Sequence, residues 1–187
     1  MMVIRKAFVT DSEDIASCLL LAMEEIVFRL MGEENSEKAL AFMCYFAERE
    51  NNQYSWQNCW VVEEAGSVVA AVNVYNGAHL HALRQPVIDY IKNKFNRSVT
   101  PEDETRDGEY YIDSLGVHPA HRGKGIGTGL LQFLIDEYVT RRNQPLGLLV
   151  EEGNLAAKRL YEKLSFKSSG RKVLLLEKHL EHLQIIR

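Results

Sequence analysis

Gly116-Val117-His118-Pro119-Ala120-His121-Arg122-Gly123-Lys124-Gly125-Ile126-Gly127-Thr128-Gly129-Leu130 is the stretch whose reading decides the fold. An apolar strand carrying Leu115 and Val117 is cut off by Pro119, which has no amide hydrogen and cannot continue a central ladder. Arg122 and Lys124 follow, interleaved with Gly123, Gly125, Gly127 and Gly129. The chain then enters a helical apolar pattern through Leu130, Leu131, Leu134, Ile135 and Tyr138. A helix N-terminus presents unpaired amides and the positive end of the macrodipole. Glycines let that backbone approach a ligand with no Cβ in the way. The combination is an anion cradle suited to phosphate. Two nucleotide-binding loops fail against it. A Gly-x-Gly-x-x-Gly fingerprint finds Thr128 in its last slot when started at Gly123, and Leu130 when started at Gly125. A Walker loop finds His118 where its first glycine belongs, and Gly125 where Ser or Thr must follow Lys124.

The pattern Arg/Gln-x-x-Gly-x-Gly/Ala is met at every required position by Arg122, Gly125 and Gly127. Just upstream, Ile112-Asp113-Ser114-Leu115-Gly116-Val117-His118-Pro119 contains Leu-x-Val-x-Pro. A second segment stands independently. After Pro145, Leu146 to Val150 is a continuous apolar run, the pattern of a strand buried on both faces. Glu151-Glu152-Gly153 then turn the chain into Asn154-Leu-Ala-Ala-Lys-Arg-Leu-Tyr161-Glu-Lys-Leu-Ser-Phe166. Asn154 is a favourable N-cap for a helix of about eleven residues. At the helical period Asn154, Lys158 and Tyr161 share one stripe, and Ala157, Leu160 and Leu164 a neighbouring stripe suited to a sheet face.

These two segments, about a third of the chain, resemble the GNAT superfamily of N-acetyltransferases in order and spacing. The first resembles its acyl-CoA pyrophosphate loop. The second is similar to its Asn-x-x-Ala-x-x-Leu-Tyr-x-x-x-Gly-Phe motif, with Ser165 in place of the glycine that shapes the helix exit. The resemblance implies acetyl-CoA as co-substrate, with the loop Arg122, Gly123, Lys124, Gly125, Ile126, Gly127 and Thr128 on its diphosphate. It further implies backbone pairing of the pantetheine arm with Leu115, Gly116 and Val117, contacts from Asn154 and Lys158, and Tyr161 as the acid that protonates the thiolate. Asn154 is equally readable as a simple N-cap. The fold implied is α/β (α+β): a mixed, mostly antiparallel central sheet with helices on both faces. Its strands at about 110–117 and 146–151 form a splayed parallel pair. The expected organisation is one domain over 1–187, with an insert at about 78–108 covering the acceptor side.

Composition is compatible with this. A chain of 187 residues buries roughly 70% of its unfolded surface as one domain. The net charge of −4 argues against nucleic acid or a membrane held by bulk electrostatics, so a polyanion must be gripped by local cations such as Arg122, Lys124, Lys158 and Arg159. No apolar run reaches membrane-spanning length and the N-terminus lacks a signal-peptide layout, so a cytoplasmic location is expected. The expected partners are a small-molecule or protein amine and, in a homodimer, a second copy of the chain. Cys18, Cys44 and Cys59 have no metal spacing; Cys18 and Cys44 sit in helical patterns as small buried hydrophobes. No metal is expected. His79 and His81 read as loop residues without a third ligand, and His118 and His121 as neutral histidines facing solvent.

Moving an acetyl group from a thioester to an amine needs the amine neutral, which for a lysine-like group lies about 4.6 kcal/mol uphill at pH 7. Asp113, Glu109 or a water chain are the candidate bases. A strand amide near Leu115 or Val117 would serve the oxyanion, and Tyr161 would protonate the leaving sulfur. The acidic stretch from Glu102 to Glu109 reads as a solvated loop. A non-catalytic acyl-CoA sensor, and an acyltransferase with an oxygen acceptor or longer acyl donor, are the alternatives.

The remaining elements read as follows. Val3 to Val9 forms a first strand, and Asp11 or Ser12 caps a helix that runs through Ile15, Cys18, Leu19, Ala22, Met23, Ile26, Val27 and Leu30 to Gly32. A second helix spans Ser36 to Arg49. Trp60–Glu64 and Val68–Tyr75 pair as a hairpin with Gly66 in its turn. A helix covers Pro86 to Phe95, Tyr110–Val117 is the next strand, and Arg171–Glu177 supplies the last.

Overall fold

Strand periodicity at residues 110–117 is realised without a shift of either bound: β4 is Tyr110–Val117. Ile112, Ser114 and Gly116 are buried while Asp113, Leu115 and Val117 are half-buried. Successive strand residues point to opposite faces, so Asp113 shares its face with Leu115 and Val117. A computed structural model describes residues 2–187. Its strands are β1 (Met2–Lys6), β2 (Cys59–Glu64), β3 (Ser67–Asn76), β4, β5 (Leu146–Glu151), β6 (Lys167–Leu175) and β7 (Lys178–Ile185). They form one seven-stranded sheet in the order β1-β2-β3-β4-β5-β7-β6. β1–β2, β2–β3, β5–β7 and β6–β7 are antiparallel. β4 and β5 are parallel, with Tyr110 opposite Leu146, Tyr111 opposite Gly147 and Ile112 opposite Leu148. That ladder is three pairs long although both strands run further, which is the splay expected of the pair.

The chain falls into two compact units. The first comprises residues up to Val74 with His81–Val99 and Ser114–Gly127. It holds α1 (Ser12–Met31), which ends on Gly32 in the left-handed conformation (φ 79°). Met23 leaves helical geometry at φ −131°, which breaks the face read from the sequence: Ile15, Cys18, Leu19, Val27 and Leu30 are buried, whereas Ala22 is exposed. α2 (Ser36–Ala47) starts at Asn35, whose side chain accepts from the Lys38 amide at 2.9 Å. α3 (Leu80–Phe95) begins six residues before the expected Pro86. Proline favours a first turn but is tolerated further in at the loss of one hydrogen bond. The true start is set by Asn76, which caps a 3₁₀ turn at Gly77–His79. His79 therefore lies in that turn and His81 in the first turn of α3, not in a loop. Tyr90 of α3 docks on Phe42, Tyr45 and Phe46 of α2, with ring centroids 5.8, 4.4 and 5.2 Å away.

The second unit comprises Tyr75–Leu80, Thr100–Asp113 and Thr128–Arg187. α4 (Ile126–Leu134) passes into it and continues as a π-helical segment, Ile135–Arg141. Leu130, Leu131, Leu134, Ile135 and Tyr138 are all buried, as their spacing required. α5 (Leu155–Lys163) is nine residues long. Ser165 sits at φ 72°, the conformation that the usual glycine adopts without strain, and the Phe166 amide still closes the helix end on the Tyr161 carbonyl at 3.0 Å. The late strand of the sequence reading is β6, and a further strand, β7, follows it through a two-residue turn with Leu176 and Glu177 at positive φ. Lys-His-Leu-Glu-His-Leu-Gln-Ile reads as polar, yet His182 is only 4% exposed.

Candidate functional site

In the first unit, Pro119 opens a 3₁₀ turn after β4, and the His118 amide pairs with Val69 of β3 at 2.9 Å. The loop then adopts positive φ at Gly123 (76°) and Gly125 (77°), with Lys124 between them. Left-handed residues alternating in this way turn consecutive amides toward one side, the geometry of an anion nest. A Cβ built on Gly123 or Gly125 would meet nothing within 4 Å, so the space they face is open. Among the described residues, the amides of 123–125 meet no acceptor in hydrogen-bond geometry, and the first-turn amides of α4 have no intrahelical partner by construction. Arg122, Lys124 and Thr128 are exposed, and Ile126 anchors the turn by burial. The Arg122 Nε donates to the Val117 carbonyl at 3.2 Å, tying the cation to the strand end. A Cβ on Gly127 would stand 3.6 Å from Leu115 Cδ2 and Val117 Cγ2, so the first turn of α4 rests on those two side chains. Gly116 is pressed against the backbone carbonyl of Cys18 in α1. Cys18 itself is buried, and desolvation together with Asp14 pushes its thiol up to about 11, which makes it inert at neutral pH. The structure thus gathers Leu115, Val117, Arg122 and Gly127 around one turn.

In the second unit, Asn154 caps α5 by accepting from the Ala157 amide at 3.1 Å. Lys158 is ion-paired with Glu181 of β7 at 2.5 Å, so its charge is compensated within the protein. Burial raises the Tyr161 phenol above its ordinary value and keeps it protonated, and its ring meets Phe166 edge-on at 5.9 Å. Asp113, half-buried, accepts from the Tyr75 hydroxyl at 3.0 Å.

The acidic stretch is not the solvated loop expected of it. Glu104, Thr105 and Glu109 are buried, because Arg171 of β6 binds the Asp103 and Glu104 carbonyls at 2.7 and 2.5 Å and the Leu174 amide binds Glu102 at 2.9 Å. Glu109 accepts from Thr105 at 2.7 Å and from Gln184 at 2.7 Å, with His182 Nε2 3.0 Å away. Burial opposes its charge, but the bonds from His182, Thr105 and Gln184 outweigh it and hold the carboxyl below the ordinary range. Sequence reasoning missed His182 and Gln184: the buried Leu180 and Leu183 stand three residues apart, so no alternation marked their strand. Among the described residues no group of three or more His, Cys, Asp or Glu is placed to hold a metal, and no helix is long and apolar enough to cross a membrane.

The family model described as the acetyltransferase (GNAT) family matches residues 20–166. The chain belongs to this family. An acetyltransferase of Sodalis glossinidius is 38% identical over 78 residues, 42% of this chain and 52% of that protein. The chain thus spans about half the length of the curated relatives it matches. Among solved structures, an N-acetyltransferase from Staphylococcus aureus Mu50 superposes with TM-score 0.83 at 23% identity, covering 98% of this chain and all of that one. A second acetyltransferase structure gives TM-score 0.77 at 26% identity, with 98% of both chains covered. A structure described as an acetyltransferase from Salmonella typhimurium, at TM-score 0.53 and 20% identity over all of this chain and 94% of that one, was solved with its cofactor acetyl-CoA.

Proposed function

We propose that this GNAT protein transfers an acetyl group from acetyl-CoA directly to a primary amine of a small molecule or protein. The observation that carries the reading is the turn at Gly123–Gly127: positive φ at two glycines, open space above them, and amides free to bind oxygen. A diphosphate fits it because its charge meets the α4 N-terminus and the Arg122 and Lys124 cations. Acetyl-CoA would supply the thioester; the chain supplies position and protons. Backbone at Leu115, Gly116 and Val117 would hold the extended arm, and the loop residues Arg122 to Thr128 the diphosphate. Asn154 is engaged as a cap and Lys158 with Glu181, so Asn154 would contribute to the ligand through its side-chain amide and Lys158 through its remaining ammonium hydrogens. Tyr161, kept protonated by burial, has the proton to give to a departing thiolate. The amine proton would leave through Asp113 or through water, since the Glu109 carboxylate is buried and already holds three donors. A screen of small amines, polyamines, aminoglycosides and peptide N-termini, read as CoA release, tests the reading. An accelerating amine is expected, with Tyr161→Phe cutting turnover roughly 100-fold and leaving acetyl-CoA affinity nearly unchanged. Binding with no amine accelerating CoA release would make the protein a sensor; equal loss of turnover and affinity would make the hydroxyl a binding group only.

A further inference from the structure

His182 is buried in the middle of β7, and none of the chemistry above uses it. β6 and β7 pair normally at Ser168 opposite Leu183 and at Lys172 opposite Glu181, so Ser169, Gly170 and Arg171 stand opposite His182 alone. Gly170, at φ 78°, makes this bulge possible. The bulge brings the Ser169 hydroxyl to 2.8 Å from His182 Nδ1. On the other side of the ring, Nε2 lies 3.0 Å from both carboxylate oxygens of Glu109. A carboxylate only accepts, so Nε2 carries a proton; in the neutral ring Nδ1 then offers its lone pair to the Ser169 hydroxyl, whose other acceptor is the His182 carbonyl at 3.3 Å. Thr105 and Gln184 hold Glu109 in place, and Gly147 leaves room for Glu109 and His182 to meet, since a Cβ there would strike both side chains. The Arg171 amide donates to the same Ser169 oxygen, 3.3 Å away, and fixes its position. Serine is exposed and the histidine and glutamate are not. An oriented base with its own carboxylate therefore stands behind a surface hydroxyl, which is the arrangement that activates a serine nucleophile.

We propose that Ser169, with His182 and Glu109, is a second reactive centre that accepts acyl groups from activated esters or thioesters. The Ser169 Oγ bonds to the acyl carbon as its proton passes to His182 Nδ1. The bond from that carbon to the leaving oxygen or sulfur breaks, and the departing anion takes the proton from His182. The products are acyl-Ser169 and one alcohol or thiol. This is independent of the acyl-CoA cradle, and the test uses p-nitrophenyl acetate. The wild-type protein should release p-nitrophenolate in a burst of one equivalent and gain one acetyl group on the peptide containing Ser169. Ser169→Ala should lose both. Glu109→Gln, with its circular dichroism retained, should slow the burst roughly 100-fold or more. Should Glu109→Gln lose its fold, the same activation is read in the wild type as acetylation of Ser169 roughly 100-fold faster than of Ser168, its exposed neighbour. Acetyl groups absent from Ser169, a burst undiminished in folded Glu109→Gln, or equal rates at Ser168 and Ser169 would each overturn the proposal.

Discussion

Adding one methyl group at Gly125 or at Gly127 should move stability in opposite directions. Gly125 is at φ 77° with nothing within 4 Å of a built Cβ, so alanine there meets no clash and suffers only the left-handed backbone cost. That cost is about 1–2 kcal/mol. Gly127 lies in the first turn of α4 and its Cβ would find only ordinary contacts with Leu115 and Val117. Helix propensity then favours alanine by about 0.5–1 kcal/mol. At roughly 2–4 °C per kcal/mol for a chain of this size, Gly125→Ala should melt lower than wild type and Gly127→Ala higher. Binding separates them further. The Gly125 methyl projects into the open space assigned to the diphosphate and should weaken acetyl-CoA binding roughly tenfold or more, about 1.4 kcal/mol. The Gly127 methyl faces Leu115 and Val117 and should leave binding nearly unchanged. Thermal unfolding and calorimetric titration decide the matter. Undiminished affinity in Gly125→Ala would refute the assignment of the cradle, and equal stability changes at the two positions would refute the backbone reasoning.

Gly116→Ala should destabilise by the upper part of the roughly 1–3 kcal/mol typical of overpacking, because its methyl meets the Cys18 backbone carbonyl, which cannot swing aside; denaturant midpoints unchanged from wild type would contradict this. Asn154→Ala should cost about 1 kcal/mol by orphaning the Ala157 amide, measurable by the same unfolding curves. Glu109 gives a pH signature. Its folded value lies below the ordinary glutamate value, so its contribution to stability is full above that ordinary value and fades as pH falls through the folded one. Urea unfolding followed from neutral to acidic pH should show a shallower acid slope in Glu109→Gln, and an unaltered slope would count against the bonds from His182, Thr105 and Gln184.

Local chemistry that needs particular residue types was readable in the chain itself. The proline after Val117, the alternating glycines and the apolar repeat from Leu130 to Tyr138 each have one physical use, and β4 and the turn into α4 lie where those residues require. The helix at Asn154 was legible for the same reason. Elements held by distant partners were not. α3 starts at Leu80 because of a cap at Asn76, while Pro86 drew attention to a later start. β7 hid behind His182, whose burial depends on Glu109, 73 residues away along the chain. The acidic loop looked solvated because Arg171, which ties down its carbonyls, lies 67 residues beyond Glu104. Polar residues satisfied across long separations leave no periodic trace.

Trp56 and Trp60, the chain's two indoles, both fall in the first unit, and the second has none. Indole emission therefore arises in the first unit, while the helix of Tyr161 and the bulge at Ser169 carry no indole of their own. Far-ultraviolet dichroism sees both units, so a melt in which the two signals fail to coincide would reveal that the chain loosens in stages.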